Sequence, residues 1–170
     1  MSEERRHPQL VNVAEVEGFS RSKGTRFGFA AKFLGRATGA QGIGCTWYEV
    51  PPGRTAFPRH YHCVNEEALF VLEGEGSLRL GERTLPVRAG DYMTFPTGPE
   101  LAHQLANTGG GPLRYLCFST LRGAEVVGYP DSNKIGAMAG PDPTGRADLW
   151  VRAIFPAAAQ VDYYEGEQVE

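Results

Sequence analysis

The sequence is poor in cysteine and histidine, with three of one and four of the other in 170 residues. Cys45, Cys63 and Cys117 are odd in number, widely spaced and without a C-x-x-C pair, which excludes a disulfide framework and a cysteine-built zinc site. Each lies in an apolar or β-type stretch and reads as a small buried side chain. Charge of one sign is also missing: seventeen Lys and Arg against twenty Asp and Glu leave a net −3. No cationic face for nucleic acid is therefore expected. No apolar run approaches the ~18 residues of a membrane helix. The first residues carry Glu3, Glu4, Arg5 and Arg6 with no apolar segment behind them, so the expectation is a chain without a leader, in a reducing cytoplasm.

Glycine and proline, by contrast, are plentiful. Their 22 and 12 positions interrupt almost every window long enough for a helix. A helical bundle and a coiled coil are excluded, and a turn-dense all-β protein is left. β-type runs occur at residues 26–34 (RFGFAAKFL), 45–50, 68–73 (ALFVLE), 77–80, 84–87, 92–95, 103–106 and 113–119. Turn signals separate them at intervals of about ten residues, the pattern of a sandwich or closed barrel. Gly74-Glu75-Gly76, between two of these runs, predicts a hairpin. There is no βαβ alternation, no G-x-G-x-x-G and no P-loop. Three parts follow: an N-terminal extension (1–25), a β-barrel (26–121) and a C-terminal arm (122–170). The arm contains a Gly/Pro-rich stretch to Gly145, a run over 147–155 and an acidic tail. With Trp150, Phe155, Tyr163 and Tyr164 it is too aromatic for a free tail. It is expected to pack on the barrel or on a second subunit, making a homodimer.

The chemistry lies in few residues. His60-Tyr61-His62 sits in an extended context, where alternate side chains share a face and two imidazoles about 7 Å apart can converge on one ion. Asn65, Glu66 and Glu67 follow at once, and His103 opens a later β-type run. Three imidazoles and a carboxylate make a mixed N/O shell suited to divalent Fe, Mn, Ni, Cu or Zn. Spacing alone leaves open a surface H-x-H beside solvated glutamates, and it does not choose between Glu66 and Glu67.

The order of these groups is recognisable. Gly53, six residues, His60-x-His62, four residues, Glu67, six residues and Gly74 resemble the first motif of the cupin superfamily. Gly90, five residues, Pro96-x-Gly98, four residues, His103, three residues and Asn107 resemble its second. One extra residue before His60 and two before His103 depart from the pattern, in loops ahead of the ligands. The tracts HYHCVNEEALFVLEGEGSLRLG, YPDSNK and YYEGE look like a subgroup of small stand-alone, single-domain cupins, some of which carry the label sugar-phosphate isomerase.

The resemblance implies a jelly-roll β-barrel with His60, His62, Glu67 and His103 directed inward to one divalent metal per chain. It selects Glu67, which lies six residues before Gly74. Parity agrees, because Glu67, Leu69 and Val71 share one face. A metal-dependent enzyme acting on a small organic molecule in the barrel is expected, with dioxygenase-like oxidation favoured. Sugar or sugar-phosphate isomerisation and a non-catalytic sensor are the alternatives. A phosphate substrate needs a cation at the mouth. Arg59 and Tyr61 share the face opposite His60, so Arg54 is the more plausible anion partner. No catalytic base is assigned; Tyr48, Glu66 and Gln104 lie nearest the motifs. The N-terminal tract has no amphipathic period that would make a DNA-binding helix.

Overall fold

The structure, a computed structural model, describes residues 7–140 and 149–168. The end of the Gly/Pro-rich stretch (141–145) and Ala147 lie outside the described residues, as do the ends of both termini.

Thirteen strands make up the described chain, with a single helical turn, α1 (Leu34–Ala37), and two short 3-10 turns. One layer is a six-stranded sheet ordered β1 (Gly18–Lys23), β2 (Phe27–Phe33), β3 (Ile43–Val50), β10 (Leu113–Thr120), β5 (Glu67–Glu73), β8 (Tyr92–Phe95). The other layer has two parts: β7 (Arg83–Arg88), β6 (Glu75–Leu80), β9 (His103–Ala106), and then β13 (Val151–Pro156), β12 (Lys134–Ala139), β11 (Ala124–Tyr129), β4 (Tyr61–His62). A bridge between His60 and His103 joins these parts, and Thr55 bridges to Phe27 of one layer and Ala106 of the other. This is the all-β jelly-roll architecture expected.

Each predicted run forms a strand, with ends shifted by a few residues. The alternation needed to fill a core between layers is plain on β5 and β10. Leu69 and Val71 are buried while Phe70 and Leu72 face out, and Leu113 and Tyr115 are buried on the neighbouring strand. With Val50, Leu78, Phe95 and Leu105 they form one core, each fully buried side chain contributing about 1.5–3 kcal/mol. Asn107 is the buried polar exception. Its amide donates to the carbonyls of Val50 (2.7 Å) and Gly111 (2.8 Å) and accepts from the Gly109 N–H (3.0 Å). All its needs are met, which is why it can sit there.

The hairpin expected at Gly74–Gly76 is not one. β5 pairs with β10 and β8, whereas β6 pairs with β7 and β9, so the chain changes layers at Gly74. Gly74 has φ +86°, and a Cβ there would collide with the Pro112 carbonyl oxygen, so the corner requires glycine. The hairpin lies one strand later, where Leu80 and Arg83 pair across Gly81-Glu82.

Beyond the expected barrel segment the chain keeps building sheet. β11 pairs with β4 in the register Val127↔His62 and Gly128↔Tyr61, and a Cβ on Gly128 would run into the Tyr61 ring. β12 and β13 extend the sheet outward. From Trp150 onward the arm is open to solvent: Trp150, Ile154, Tyr163 and Tyr164 are all exposed. Near the other end, the polar residues of β1 pair along their whole length with β2.

Gly74→Ala is expected to cost ~2 kcal/mol or more, lowering the thermal midpoint by roughly 4–8 °C in a chain of this size. Gly110→Ala, at an open position without positive φ, serves as the control and should move it little. Differential scanning calorimetry of both variants reads the difference.

Candidate metal centre

Three strands deliver the site. His60 precedes β4 and is held by reciprocal backbone bonds with His103, the first residue of β9: His60 N–H to His103 O at 3.1 Å and His103 N–H to His60 O at 2.8 Å. His62 lies on β4 and Glu67 opens β5. The period of two turns His60 and His62 to the same side, their ring centroids 5.1 Å apart. Glu67 reaches into the same space, as its parity with Leu69 and Val71 predicts. Its Oε2 lies 3.2 Å from His62 Nε2, 3.2 Å from His103 Nε2 and 3.7 Å from His60 Nε2. The donor atoms of His60, His62 and Glu67 all lie within 4.8 Å of one another. His103 joins this trio through Glu67.

Ring orientation is set from behind. His60 Nδ1 is 2.9 Å from the Pro58 carbonyl and His103 Nδ1 is 3.1 Å from the Leu101 carbonyl. A carbonyl can only accept, so each ring donates its Nδ1 proton backward and Nε2 is left facing Glu67, where it could offer a lone pair to a bound cation. His62 is different. Glu125 Oε2 on β11 stands 3.3 Å from its Nδ1, yet neither buried ring nitrogen has a hydrogen bond of good alignment. Leaving such groups unpaired costs about 1–3 kcal/mol each. A cation on Nε2 removes that cost.

The electrostatics ask for the same thing. Burial would raise the Glu67 carboxyl, but the His103, His60 and His62 imidazoles around it hold it well below the usual range. Burial pushes His103 down. Burial also opposes charge on His62, but Glu125 and Glu67 on either side of the ring outweigh it and lift its pKa to about 9. The pocket thus demands positive charge at His62. A proton meets the demand in the metal-free protein, and a divalent ion meets it better by using every inward donor. The remaining oxygen, Glu67 Oε1, accepts from the Cys117 thiol at 3.3 Å. Burial raises that thiol well above its ordinary pKa, so it stays protonated. Three imidazoles and one carboxylate therefore fit a borderline divalent transition metal, and His60, His62 and Glu67 could hold it.

Above the cluster lies a cavity of about 200 Å³. Tyr48, Phe57, Tyr115 and Tyr129 wall it, with Leu105, Val127 and Met138 between them and Gln104 as the amide. Tyr48 stacks on Tyr115 at 5.3 Å, and Phe57 meets Tyr48 edge-on at 5.5 Å. Among the described residues no Lys or Arg lines this space, and Glu67 is its only carboxylate.

The expectation for Arg54 is corrected. Its guanidinium donates to the Phe27 carbonyl at 3.0 Å and covers Gly28, which keeps it out of the cavity. Arg59 faces away from His60 as expected. It is buried (7% exposed), donates to the Gly81 carbonyl at 2.7 Å and pairs with Asp131, bracing the wall behind the site. Of the suggested bases, Tyr48 and Gln104 line the cavity, whereas Glu66 is exposed outside it. Cys63, read as buried, is exposed. Sequence reasoning missed Phe57, Tyr115, Cys117 and four residues of the arm: Glu125, Val127, Tyr129 and Met138. Period-two alternation from Leu113 pointed to Tyr115 and Cys117. Nothing in the spacing pointed to Glu125.

His62→Ala should abolish binding of a divalent ion and lower the thermal midpoint of the metal-free protein, because it removes the partner that stands between the Glu67 and Glu125 carboxylates. His103→Ala should also abolish binding and lower the thermal midpoint through lost packing, since His103 is 4% exposed and its ring stacks on Phe95 at 3.7 Å. Elemental analysis beside thermal unfolding of both variants separates the two effects.

Residues 46–119 match the family described as Cupin domain. An uncharacterized protein of Methanocaldococcus jannaschii is 37% identical over 60 residues, 35% of this chain, and the chain spans only 46% of that relative's length. A candidate sugar phosphate isomerase of Acidithiobacillus ferrooxidans superposes with a TM-score of 0.75 at 24% identity, over 91% of this chain and 96% of its own. A sugar phosphate isomerase from a cupin superfamily, of Silicibacter pomeroyi, superposes with a TM-score of 0.73 at 22% identity, over 95% and 96%. At these identities the superpositions establish the fold. No helix among the described residues is long and apolar enough to cross a membrane. The match to the Cupin domain family thus falls on the central strands, residues 46–119, and takes in His60, His62, Glu67 and His103.

Proposed function

We propose that this chain is a metal-dependent enzyme acting on a small, phosphate-free organic molecule, and that the reaction is an oxidation using dioxygen. The ligands in this reading are His60, His62, Glu67 and His103, holding one divalent ion. The observation that carries it is the convergence of three imidazole Nε2 atoms on Glu67 Oε2 at the floor of an aromatic cavity. A transition metal bound there supplies a Lewis acid with open positions for a chelating substrate and for dioxygen. The chain's own part is binding and exclusion. Tyr48, Phe57 and Tyr115 offer ring faces and edges to a flat apolar molecule. Gln104 has its amide nitrogen tied to the Phe57 carbonyl at 2.7 Å, which leaves its amide oxygen free to accept from a substrate hydroxyl. Leu105, Val127 and Met138 keep the space apolar.

Isomerisation is the second reading, and the names of the two structural relatives favour it. It requires a base to move a proton between carbons and, for a phosphate ester, a cation near the mouth. The described cavity has no Lys or Arg on its walls and Arg54 is committed to β2, while its one carboxylate is committed to the histidines, which leaves Tyr48 as the candidate base.

The test is reconstitution with Fe(II) under anaerobic conditions, followed by oxygen-electrode assays on a panel of small catechols, diketones and hydroxy acids. Sugar phosphates are run in parallel by proton NMR. Substrate-dependent oxygen uptake, lost in Glu67→Ala, is the expected result. Interconversion of a sugar phosphate without oxygen uptake would overturn the oxidation in favour of isomerisation.

A further inference from the structure

We infer that Glu125, on the C-terminal arm, is a positioning residue for the metal centre: it backs the His62 ring so that Nε2 points at the other donors. The inference rests on the reading that the His/Glu cluster holds a metal. Glu125 is 6% exposed, and its carboxylate is surrounded by donors from a single stretch of chain. Oε1 accepts the N–H groups of Cys63 and Val64, both at 3.2 Å. Oε2 accepts the Asn65 N–H at 2.9 Å and stands 3.3 Å from His62 Nδ1. A buried carboxylate with this many donors remains ionised and immobile.

His62 is singular among the three imidazoles. His60 and His103 are each backed by a backbone carbonyl two residues before them, a partner that every sequence supplies. His62 is backed instead by a full negative charge, brought from 63 residues downstream. A carboxylate behind an imidazole fixes the ring and makes the opposite nitrogen a stronger donor. The three backbone N–H bonds hold the turn after β4, so Glu125 sets both the ring and the peptide that carries it. The delivery is rigid, because β11 is docked on β4 with Val127 opposite His62 and Gly128 under the Tyr61 ring. The arm is thus part of the site and not packing around it.

A merely structural anchor would need only the three backbone bonds. Glu125→Gln separates the roles, since the amide oxygen still accepts N–H groups but the charge behind His62 is gone. In the full-length chain, Co(II) affinity measured by competition with a chromophoric chelator should fall about 10–100-fold in Glu125→Gln. The visible spectrum of the Co(II)-saturated variant should change as well. Glu82→Gln, an exposed carboxylate on the far side of Arg59, should leave both unchanged. Equal affinity with superimposable spectra in Glu125→Gln would overturn the inference, whatever happens to stability. Should that variant fail to fold, nitrogen-15 NMR of the Zn(II)-loaded wild-type protein decides. A His62 ring protonated at Nδ1 and metallated at Nε2 is expected, and the reverse overturns the inference. Failure of the wild-type chain to bind either ion overturns the metal reading itself, a distinct outcome.

Discussion

Glu67 is a carboxylate buried among three imidazoles, and much of the surrounding structure can be understood as meeting the cost of putting it there. An isolated ionised carboxylate in an apolar interior is prohibitively expensive, so the fold must bring compensating charge and donors to within hydrogen-bond reach. Three side chains from two other strands do so on one oxygen, and the Cys117 thiol covers the other. Each imidazole must then be oriented from its far side, because a ring free to flip would present a proton where a lone pair is wanted. The Pro58 and Leu101 carbonyls and the Glu125 carboxylate perform that task. A cluster arranged this way favours any species that adds positive charge at its centre.

Packing extends the same constraint outward. The reciprocal backbone bonds of His60 and His103 join two parts of one layer, so the candidate ligands themselves lie at a seam of the fold. Loosening the seam would spread the ligands, and a metal ion there would close it. This couples ion binding to stability. Phe95, stacked under His103, ties the seam to the core. On the opposite side of the cluster the packing is aromatic and open, which leaves space for a ligand without breaking the seam.

Much of this was legible along the chain. The period of two placed His60 with His62, and Glu67 with Leu69 and Val71, because a pleated strand turns every second residue to the same face. The motif spacing placed His103 in the same neighbourhood. Other features were not legible, for identifiable reasons. A Gly-containing turn between two apolar runs reads as a hairpin, but at Gly74 the contact with Pro112 sends the chain to the other layer, and local sequence carries no trace of that contact. Arg54 had the right charge and position along the chain for an anion site. Its side chain is held by the Phe27 carbonyl on a strand that the motif does not include.

By itself, the sequence determined the class of fold, the strand rhythm and the donor set, because these depend on composition, on alternation and on the order of a few residues. Only the tertiary structure decided the surroundings of the donors. Glu125 lies 63 residues beyond His62, and Tyr129 and Met138 reach the cavity from strands outside the spaced motifs. Their role exists because β11 pairs with β4, a contact set by long-range packing and by the missing side chain of Gly128. The glycines and prolines that first excluded helices thus also mark where the chain turns these imidazoles and Glu67 inward. What those side chains face was settled by the arm that folds back over them.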